Sequence, residues 1–449
     1  MSRPNRILHL DGDSFFASCE IALHPEWQGR PVWVGGGRRG DGIVIAANRQ
    51  AKQFGVVTGM ACFEARRRCP AGVLARPSYE EYRRLSRAMF HLIEEYSPTL
   101  VPVSIDEGFV DLTALQTHVW RGTTAADYVN GIRARIQKEL NLPVSGGLGN
   151  SAKLAKLATD AGKPGFKEIP AGQEKEFLRD RPLREMSGIA GRRERALAGL
   201  GARTFGDVAK LPAMLLQQKF GIWGRQLWLF ASGQWNEPLL LTVKDRTTIS
   251  SATTLPSDEP DYEAALTFAL SEAIRLVGQL RREQLQAREL SLSLRFNDFT
   301  EVGASHRFRH PQFRNSVINA AVEGLFREVM AGAVRPVRQI RLALWNLAPL
   351  DTQPTLWGPT DAERWAALDA ATHTLNTRFG KTALLTGAQL ALRQADAAHK
   401  NPKAKCPFVP QREMVKQLWG TDADPLAHKA AWEQRLERAS RHHHGRGGA

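Results

Sequence analysis

The spacing of apolar and polar positions changes several times along the chain, and each change marks an element. "RILHLD" (6–11) is a short continuous apolar run, which predicts a buried strand, and "SFFASCEIAL" (14–23) continues at helical spacing. "PVWVGGGRRGDGIVIAA" (31–47) reads as two strands joined by a glycine-rich hairpin. Helices are expected at about Asn48–Phe54, in the basic "ACFEARRRC" (61–69), from Ser78 to Tyr96, and in "AADYVNGIRARIQKEL" (125–140). "LVPVSIDEGFVDLT" (100–113) alternates like a strand pair, and "PVSGGLG" (143–149) is a strand with a glycine-rich exit. Residues 167–238 read as short helices and 239–248 as a connector. From 249 to 350 strands and helices alternate again: "ISSATTL", a helix near 261–284, "ELSLSLRF", the basic "ASHRFRH", a helix near 313–332, and "VRQIRLALWNL". Beyond 350 one helical patch, "DAERWAALDAATHTLNTRF" (361–379), precedes a polar tail, and no internal repeat is visible. The fold class is therefore α+β and multidomain.

Composition narrows this picture. With 449 residues, 43% of them hydrophobic and 24% charged, the chain has material for roughly two to four packed domains. Its 61 Lys and Arg against 46 Asp and Glu leave a net charge of +15, which favours a polyanionic partner such as nucleic acid or an anionic membrane. No run of about 18 apolar residues and no signal peptide is seen, so a soluble, cytoplasmic protein is expected. Cys19, Cys62, Cys69 and Cys406 show no C-x-x-C spacing, which argues against a zinc site or a disulfide framework.

Gly35, Gly37 and Gly40 fit G-x-G-x-x-G, but a dinucleotide site needs a helix to open there, and here another strand, "GIVIAA", follows. A hairpin turn is the better reading. The acids are harder to set aside. Asp11 and Asp13 flank Gly12 at a strand end, and Asp106 and Glu107 interrupt an alternating pattern further along. Carboxylates at strand ends of one sheet can converge, and the natural counter-charge is a divalent cation held by oxygen ligands. Two such ions would clamp the attacking and leaving oxygens of a phosphoryl transfer. Turn or capping roles are equally open on spacing alone, and for Asp13 a helix N-cap on "SFFASCE" is favoured. Neighbours on a regular strand face opposite ways, so Asp106 and Glu107 can share a site only at a turn or distortion.

"ILHLDGDSFFASCE", "GRPVWVGG", "ANRQAKQFGVVTGMACFEARRRCP", "VSIDEGFVDLT" and "LPVSGGLGNSAKLAKLATDAGKPGF" together resemble, in order and spacing, the Y-family translesion DNA polymerases, on the polymerase IV branch. The resemblance covers about residues 7–350. It implies a right-hand polymerase: palm and fingers over 1–166 (fingers about 29–77), a helical thumb over 167–238, a linker over 239–248, an α/β little finger over 249–350, and a partly disordered extension over 351–449. It further implies that Asp11, Asp106 and Glu107 are catalytic. With the Gly12 carbonyl they would hold two Mg²⁺, for which Mn²⁺ can substitute. Phe16 would be a steric gate under the sugar of the incoming dNTP, with Phe15 packed beneath it. The partners implied are primer-template DNA and dNTPs, with a monomeric enzyme and no membrane.

Departures from the family pattern sharpen the expectation. Ala46, Arg49 and Lys52 stand where the family usually has Thr, Tyr and Arg facing the triphosphate, so two hydroxyl donors are missing while Arg49, Lys52 and Lys163 keep the positive charge. Gly12 replaces a usually bulky residue, which suggests a freer backbone. "LREMSGIAGRRERALAGLGARTFGDVAKL" resembles a helix–hairpin–helix, with Gly188, Gly191 and Arg192 at a DNA phosphate and Ala190 in place of a usual glycine. Arg295, His306, Arg307 and Arg309 form a basic block without balancing acids, a track for backbone phosphates. Two segments resemble sliding-clamp peptides. "QLWLF" (226–230) sits in a helix whose Leu and Trp belong in the core, whereas "QPTLW", with Gln353, Leu356 and Trp357, is the better candidate. Two rival readings are a nucleotidyl cyclase using the same palm, which the +15 charge does not suit, and a Y-family-like protein that binds DNA and recruits partners without catalysis.

Overall fold

The computed structural model describes residues 5–36, 42–97, 99–113, 124–239, 246–331 and 335–350, with scattered helical positions between 367 and 378. These fall into two compact units, divided between Thr242 and Val243.

The first unit is built on the apolar run met at the start of the chain. β1 (Ile7–Gly12) is the middle strand of a five-stranded sheet, order β5-β6-β1-β7-β8, with β5 (Leu100–Pro102), β6 (Glu107–Asp111), β7 (Val144–Gly149) and β8 (Phe166–Glu168). β1 is antiparallel to both β6 and β7. One face of the sheet carries Leu8 and Leu10 into a core shared with α1 (Phe15–Leu23), α4 (Tyr79–Glu94) and α5 (Ala125–Leu140). The other face meets α6 (Ala152–Gly162), which lies close because Gly147 has no side chain: a Cβ there would stand 2.6 Å from Thr159 Oγ1.

The hairpin reading of the glycine-rich stretch holds. β2 (Val32–Gly35) and β3 (Val44–Ala47) pair antiparallel in a small sheet, order β3-β2-β4, with β4 (Val73–Ala75). Gly35 belongs to β2, while Gly37 and Gly40 lie outside the described residues. α2 (Arg49–Gln53) is capped by Asn48, whose side chain accepts from Ala51 N and from Val32 N, fixing helix to strand. α3 (Cys62–Arg68) completes this subdomain, and Cys19, Cys62 and Cys69 are buried free thiols.

Short helices then follow: α7 (Glu174–Leu178), α8 (Arg192–Ala198), α9 (Phe205–Lys210), α10 (Ala213–Phe220) and α11 (Ile222–Ala231). They share one core with Leu154, Leu157 and Ala158 of α6. Within "QLWLF", Leu227 and Phe230 are in that core and Trp228 Nε1 donates to Leu211 O, so this segment packs as expected.

The second unit is a four-stranded antiparallel sheet, order β11-β10-β12-β9, with β9 (Thr248–Glu259), β10 (Leu285–Phe296), β11 (Glu301–Gln312) and β12 (Val337–Pro349). α12 (Tyr262–Arg282) and α13 (Asn315–Met330) cover one face. The strands outrun their apolar patterns. β9 begins at Thr248, inside the expected connector, and continues past Leu255, and β10 begins four residues before "ELSLSLRF". The cause is β12, whose ladder runs from Leu285↔Pro349 to Phe296↔Val337 on one side and from Thr248 to Glu259 on the other. Pairing extends a strand beyond the segment whose alternation is visible. Among the described residues no helix is long and apolar enough to cross a membrane.

Candidate functional site

Sheet register brings the acids together. Asp11 lies directly opposite Glu107 on β6 and Ser145 on β7. Asp106 sits in the turn just before β6, so the restriction on strand neighbours does not apply. Ser104 Oγ accepts from the amides of Asp106 and Glu107 at 3.3 and 3.1 Å and donates to the Asp106 carboxylate, folding the turn around one hydroxyl. Gly12 N donates to Asp106 O at 2.8 Å, locking the turn to the end of β1. Gly12 is therefore buried and held at a strand end. A Cβ at that position would stand 2.9 Å from Phe15 Cδ2, so a larger residue here needs the Phe15 ring to shift.

Two lysines close the site. Residues 156, 159, 160 and 163 recur at helical spacing, so one face of α6 and its C-terminal end look at β1 and β6. Lys156 Nζ donates to Glu107 Oε2, and Lys163 Nζ is 2.9 Å from Asp11 Oδ1 and 3.2 Å from Asp160. His9, two positions before Asp11, is fully buried with Nδ1 2.9 Å from Thr159 Oγ1 and Nε2 3.4 Å from Glu107 Oε2. Ligand atoms of His9, Asp11 and Glu107 all lie within 4.8 Å of one another. The Asp106 carboxylate is outside that group, turned onto Ser104. Electrostatics follow geometry. The His9 ring, against the effect of burial and with help from Lys156, holds the Glu107 carboxyl down at about 2. Burial pushes Asp106 up, the Ser104 hydroxyl opposes this, and the Asp11 and Glu107 charges add to the rise. Burial works against the charge of Lys163, but Asp11 and Asp160 outweigh it and raise its pKa. Carboxylate oxygens gathered at a sheet end, with ammonium groups standing in as counter-charges, suit hard divalent cations.

The expected cap is corrected here. Asp13 is not the N-cap of α1: that position is Ser14, in a left-handed conformation (φ 48) without a side-chain cap. Asp13 still belongs to the sheet end. Its amide donates to Pro143 O, and its carboxylate accepts from Ser145 Oγ at 2.7 and 2.8 Å. Phe15 is buried in the core with its ring centroid 6.0 Å from that of Phe16, and the Phe16 ring also stacks on Tyr82 at 4.7 Å and meets Tyr79 edge-on at 5.9 Å. Lys52 Nζ reaches Ser14 Oγ at 3.0 Å, while Arg49 is exposed at the start of α2 and makes no ion pair among the described residues.

Comparison with known proteins gives the family of the chain. Residues 10–160 match the impB/mucB/samB family model and residues 246–355 that family's C-terminal domain. A DNA polymerase IV of Dehalococcoides mccartyi is 32% identical over 393 residues, 86% of this chain and 98% of that protein. The chain belongs to the Y-family of DNA polymerases. DNA polymerase IV 1 of Bacillus subtilis is 30% identical over 388 residues, 86% of this chain and 93% of the relative. A Y-family polymerase chimera of Dbh and Dpo4 shares the fold with a TM-score of 0.66 at 22% identity, over 77% of this chain and all of that one.

In this Y-family polymerase, the remaining expected site residues lie in the short-helix region and in the second unit. Gly188 and Gly191 have positive φ (91 and 49), while Ala190 does not, so alanine is tolerated there. The arm before this hairpin is a single 3₁₀ turn, Leu183–Glu185, opened by Pro182 and closed by extended Met186, rather than a full helix. Arg192 opens α8. On the sheet face away from α12 and α13, Arg295 and Arg307 do not stand alone. Glu301 lies 3.4 Å from Arg295 and 2.9 Å from Arg341, and Glu289 lies 3.8 Å from Arg307. The basic block thus has balancing acids: Glu301, six residues after Arg295 on the same hairpin, and Glu289, set against Arg307 by the strand register. Arg309 is exposed on the edge strand β11. Gln353, Leu356 and Trp357 fall outside the described residues, as does most of the helical patch after them. His9, Lys156, Thr159, Ser104 and Ser145 were not anticipated. The seven-residue spacing of Lys156 to Lys163 and the two-residue spacing of His9 to Asp11 were the available signals.

Proposed function

We propose that Asp11, Asp106 and Glu107, with the Gly12 carbonyl, hold two divalent cations, Mg²⁺ with Mn²⁺ as substitute, at the palm of this polymerase. The enzyme is a DNA-directed DNA polymerase of the translesion type, acting on primer-template DNA. In each cycle the primer 3′ oxygen forms a bond to the α-phosphorus of a dNTP, the bond to the β-phosphate oxygen breaks, and pyrophosphate leaves as the hydroxyl gives up its proton. Divalent ions supply charge neutralisation for the attacking and leaving oxygens. The chain's own part is to position. Lys163, Arg49 and Lys52 meet the triphosphate, and Phe16, held flat by Tyr82, lies where a 2′ hydroxyl would clash. The hairpin at Gly188, Gly191 and Arg192 holds a DNA phosphate, and Arg295, Arg307 and Arg309 track the backbone. These roles assign palm and fingers to 1–166, thumb to 167–238 and little finger to 249–350. The enzyme works as a cytoplasmic monomer, and Gln353–Trp357 recruits the sliding clamp.

The observation that carries this reading is the pairing of Asp11 with Glu107 on adjacent strands, Glu107 already neutralised by Lys156 of α6 and Asp11 by Lys163 at the C-cap of that helix. Primer extension on damaged and undamaged templates tests it. Extension is expected with Mg²⁺ or Mn²⁺ and is lost in Asp106→Ala, with primer-template binding retained. A wild-type protein that binds primer-template but extends with neither ion would leave the DNA-binding, non-catalytic reading.

A further inference from the structure

His9 has no task in the reading above, yet its surroundings are specified in detail. Its register partner on β7 is Gly147, the residue whose bare backbone lets α6 approach. That approach brings Thr159 Oγ1 to Nδ1. On β6 the partner is Phe109, whose ring packs on the imidazole with centroids 4.6 Å apart and restricts its rotation. The ring is thus held on three sides. Nε2 is buried and makes no hydrogen bond of normal geometry, although it lies 3.4 Å from Glu107 Oε2. A buried ring nitrogen whose facing group is a carboxylate oxygen at the edge of hydrogen-bond distance calls for an explanation.

We propose that His9 is a positioning residue for Glu107. With Lys156 it engages Oε2 of that carboxylate, which leaves Oε1 turned toward the place where cation and primer hydroxyl meet. Thr159 Oγ1 sets the direction of the ring proton. When the hydroxyl donates to Nδ1, the neutral ring carries its proton on Nε2. When it donates to Ala155 O instead, 3.0 Å away, an imidazolium still presents Nε2–H. In these two states a donor faces Glu107, whereas a neutral ring protonated on Nδ1 would present only a lone pair there, and the positioning role rests on the first two. Partners behind a metal-ligating group commonly matter about 10–100-fold for metal affinity or rate.

The inference rests on the metal-site reading, and its test separates the two. Mn²⁺ binding to the full-length enzyme with primer-template is followed by electron paramagnetic resonance, alongside single-turnover extension. His9→Phe keeps the ring volume and removes both nitrogens. It should weaken Mn²⁺ binding about tenfold and slow kcat about tenfold with dNTP KM unchanged, and His9→Gln should recover most of both. Thr159→Val leaves the imidazole in place and should move both quantities the same way, which keeps the test available if His9→Phe does not fold. Wild-type Mn²⁺ affinity and kcat in His9→Phe, or in Thr159→Val where His9→Phe does not fold, would overturn the proposal. So would imidazole ¹⁴N couplings to bound Mn²⁺ in the wild type, since His9 would then be a ligand. Wild-type protein that binds no Mn²⁺ would instead strike the metal-site reading itself.

Discussion

Gly146 and Gly147 are adjacent in β7 and face opposite sides of the sheet, so one substitution made at each separates the site-building face from the core face. A methyl group at Gly147 would stand 2.6 Å from Thr159 Oγ1 and closer still to the Thr159 amide nitrogen and the Ala155 carbonyl oxygen. Comfortable contact needs about 3.5 Å, and two of these three atoms are backbone and cannot rotate away. α6 must therefore retreat by about 1 Å or more. It takes with it Lys156, Thr159 and Lys163, the partners of Glu107, His9 and Asp11. At Gly146 the nearest atoms are Leu10 Cδ2 at 3.2 Å, Val129 Cγ1 at 3.3 Å and Phe166 Cδ2 at 3.4 Å, all side-chain atoms that can shift by a few tenths. Overpacking at Gly147 should cost about 1–3 kcal/mol, or about 2–4 °C in Tm per kcal/mol for a unit of this size. A displacement of about 1 Å around a reacting centre can cost about 100-fold in rate. Gly147→Ala is thus expected to lower single-turnover extension about 100-fold while primer-template affinity stays near wild type, and Gly146→Ala should stay within about threefold. Wild-type extension by Gly147→Ala, or equal loss in both variants, would refute the argument that α6 is seated by that glycine.

The remaining expectations concern charge. Glu107 has a depressed pKa, so its ion pairs stabilise the fold above its ordinary range near 4.3 and are lost as pH falls toward 2; the stability gap between wild type and Glu107→Gln, about 3 kcal/mol in full, should narrow over that window in urea titrations. Asp106 is raised by burial, so its ionisation costs stability as pH rises through its folded pKa. Metal-free Asp106→Asn should accordingly melt above wild type at neutral pH, lose that advantage in acid, and gain less from added Mg²⁺. Glu301→Gln frees Arg295 and Arg341, so DNA affinity should rise and the log–log salt dependence steepen by about 1 to 2. Ala46→Thr with Arg49→Tyr restores two hydroxyl donors and should lower the apparent dNTP KM about two- to tenfold for each hydrogen bond regained; a rise would show that Arg49 itself holds the triphosphate.

What the sequence revealed and what it hid divide along one physical line. Local rules sufficed wherever a residue's environment is set by its chain neighbours. The apolar run before Asp11 became the central strand, Asn48 capped α2, and the acids of "SIDE" met Asp11 because Asp106 occupies a turn. The errors came where a distant strand outbid a local preference. Asp13 has the residue type and place of an N-cap, yet Ser145, 132 positions away, takes its carboxylate, and Ser18 Oγ reaches back to its carbonyl. Arg307 looks uncompensated along the chain, but register sets it against Glu289, while the acid facing Arg295, Glu301, stands six residues away on the same hairpin. His9 reads as one polar residue in an apolar strand, and its meaning depends on Thr159 and Phe109, neither of which any local pattern ties to it.

On the proposed roles, the charge balance of the site links ion entry to nucleotide entry. Asp11 and Glu107 each hold an ammonium group, whereas among the described residues no cation lies within ion-pair distance of Asp106, the acid that burial pushes up. Asp106 is therefore the carboxylate with most to gain from a divalent ion. Cation binding at Asp11 competes with Lys163, which is then left with Asp160 alone, half-exposed and short of negative charge. A triphosphate supplies that charge. On the proposed roles, ion binding without nucleotide leaves Lys163 under-compensated, and nucleotide binding without the ion leaves Asp11 so. Each ligand relieves the cost imposed by the other, and linkage makes the effect reciprocal. Lys163→Met removes both the competitor and the triphosphate contact. It should therefore tighten metal binding in the absence of dNTP, weaken dNTP binding, and abolish the coupling between them; calorimetric titrations in either order read all three, and coupling of wild-type size in the variant would show that it runs through other groups.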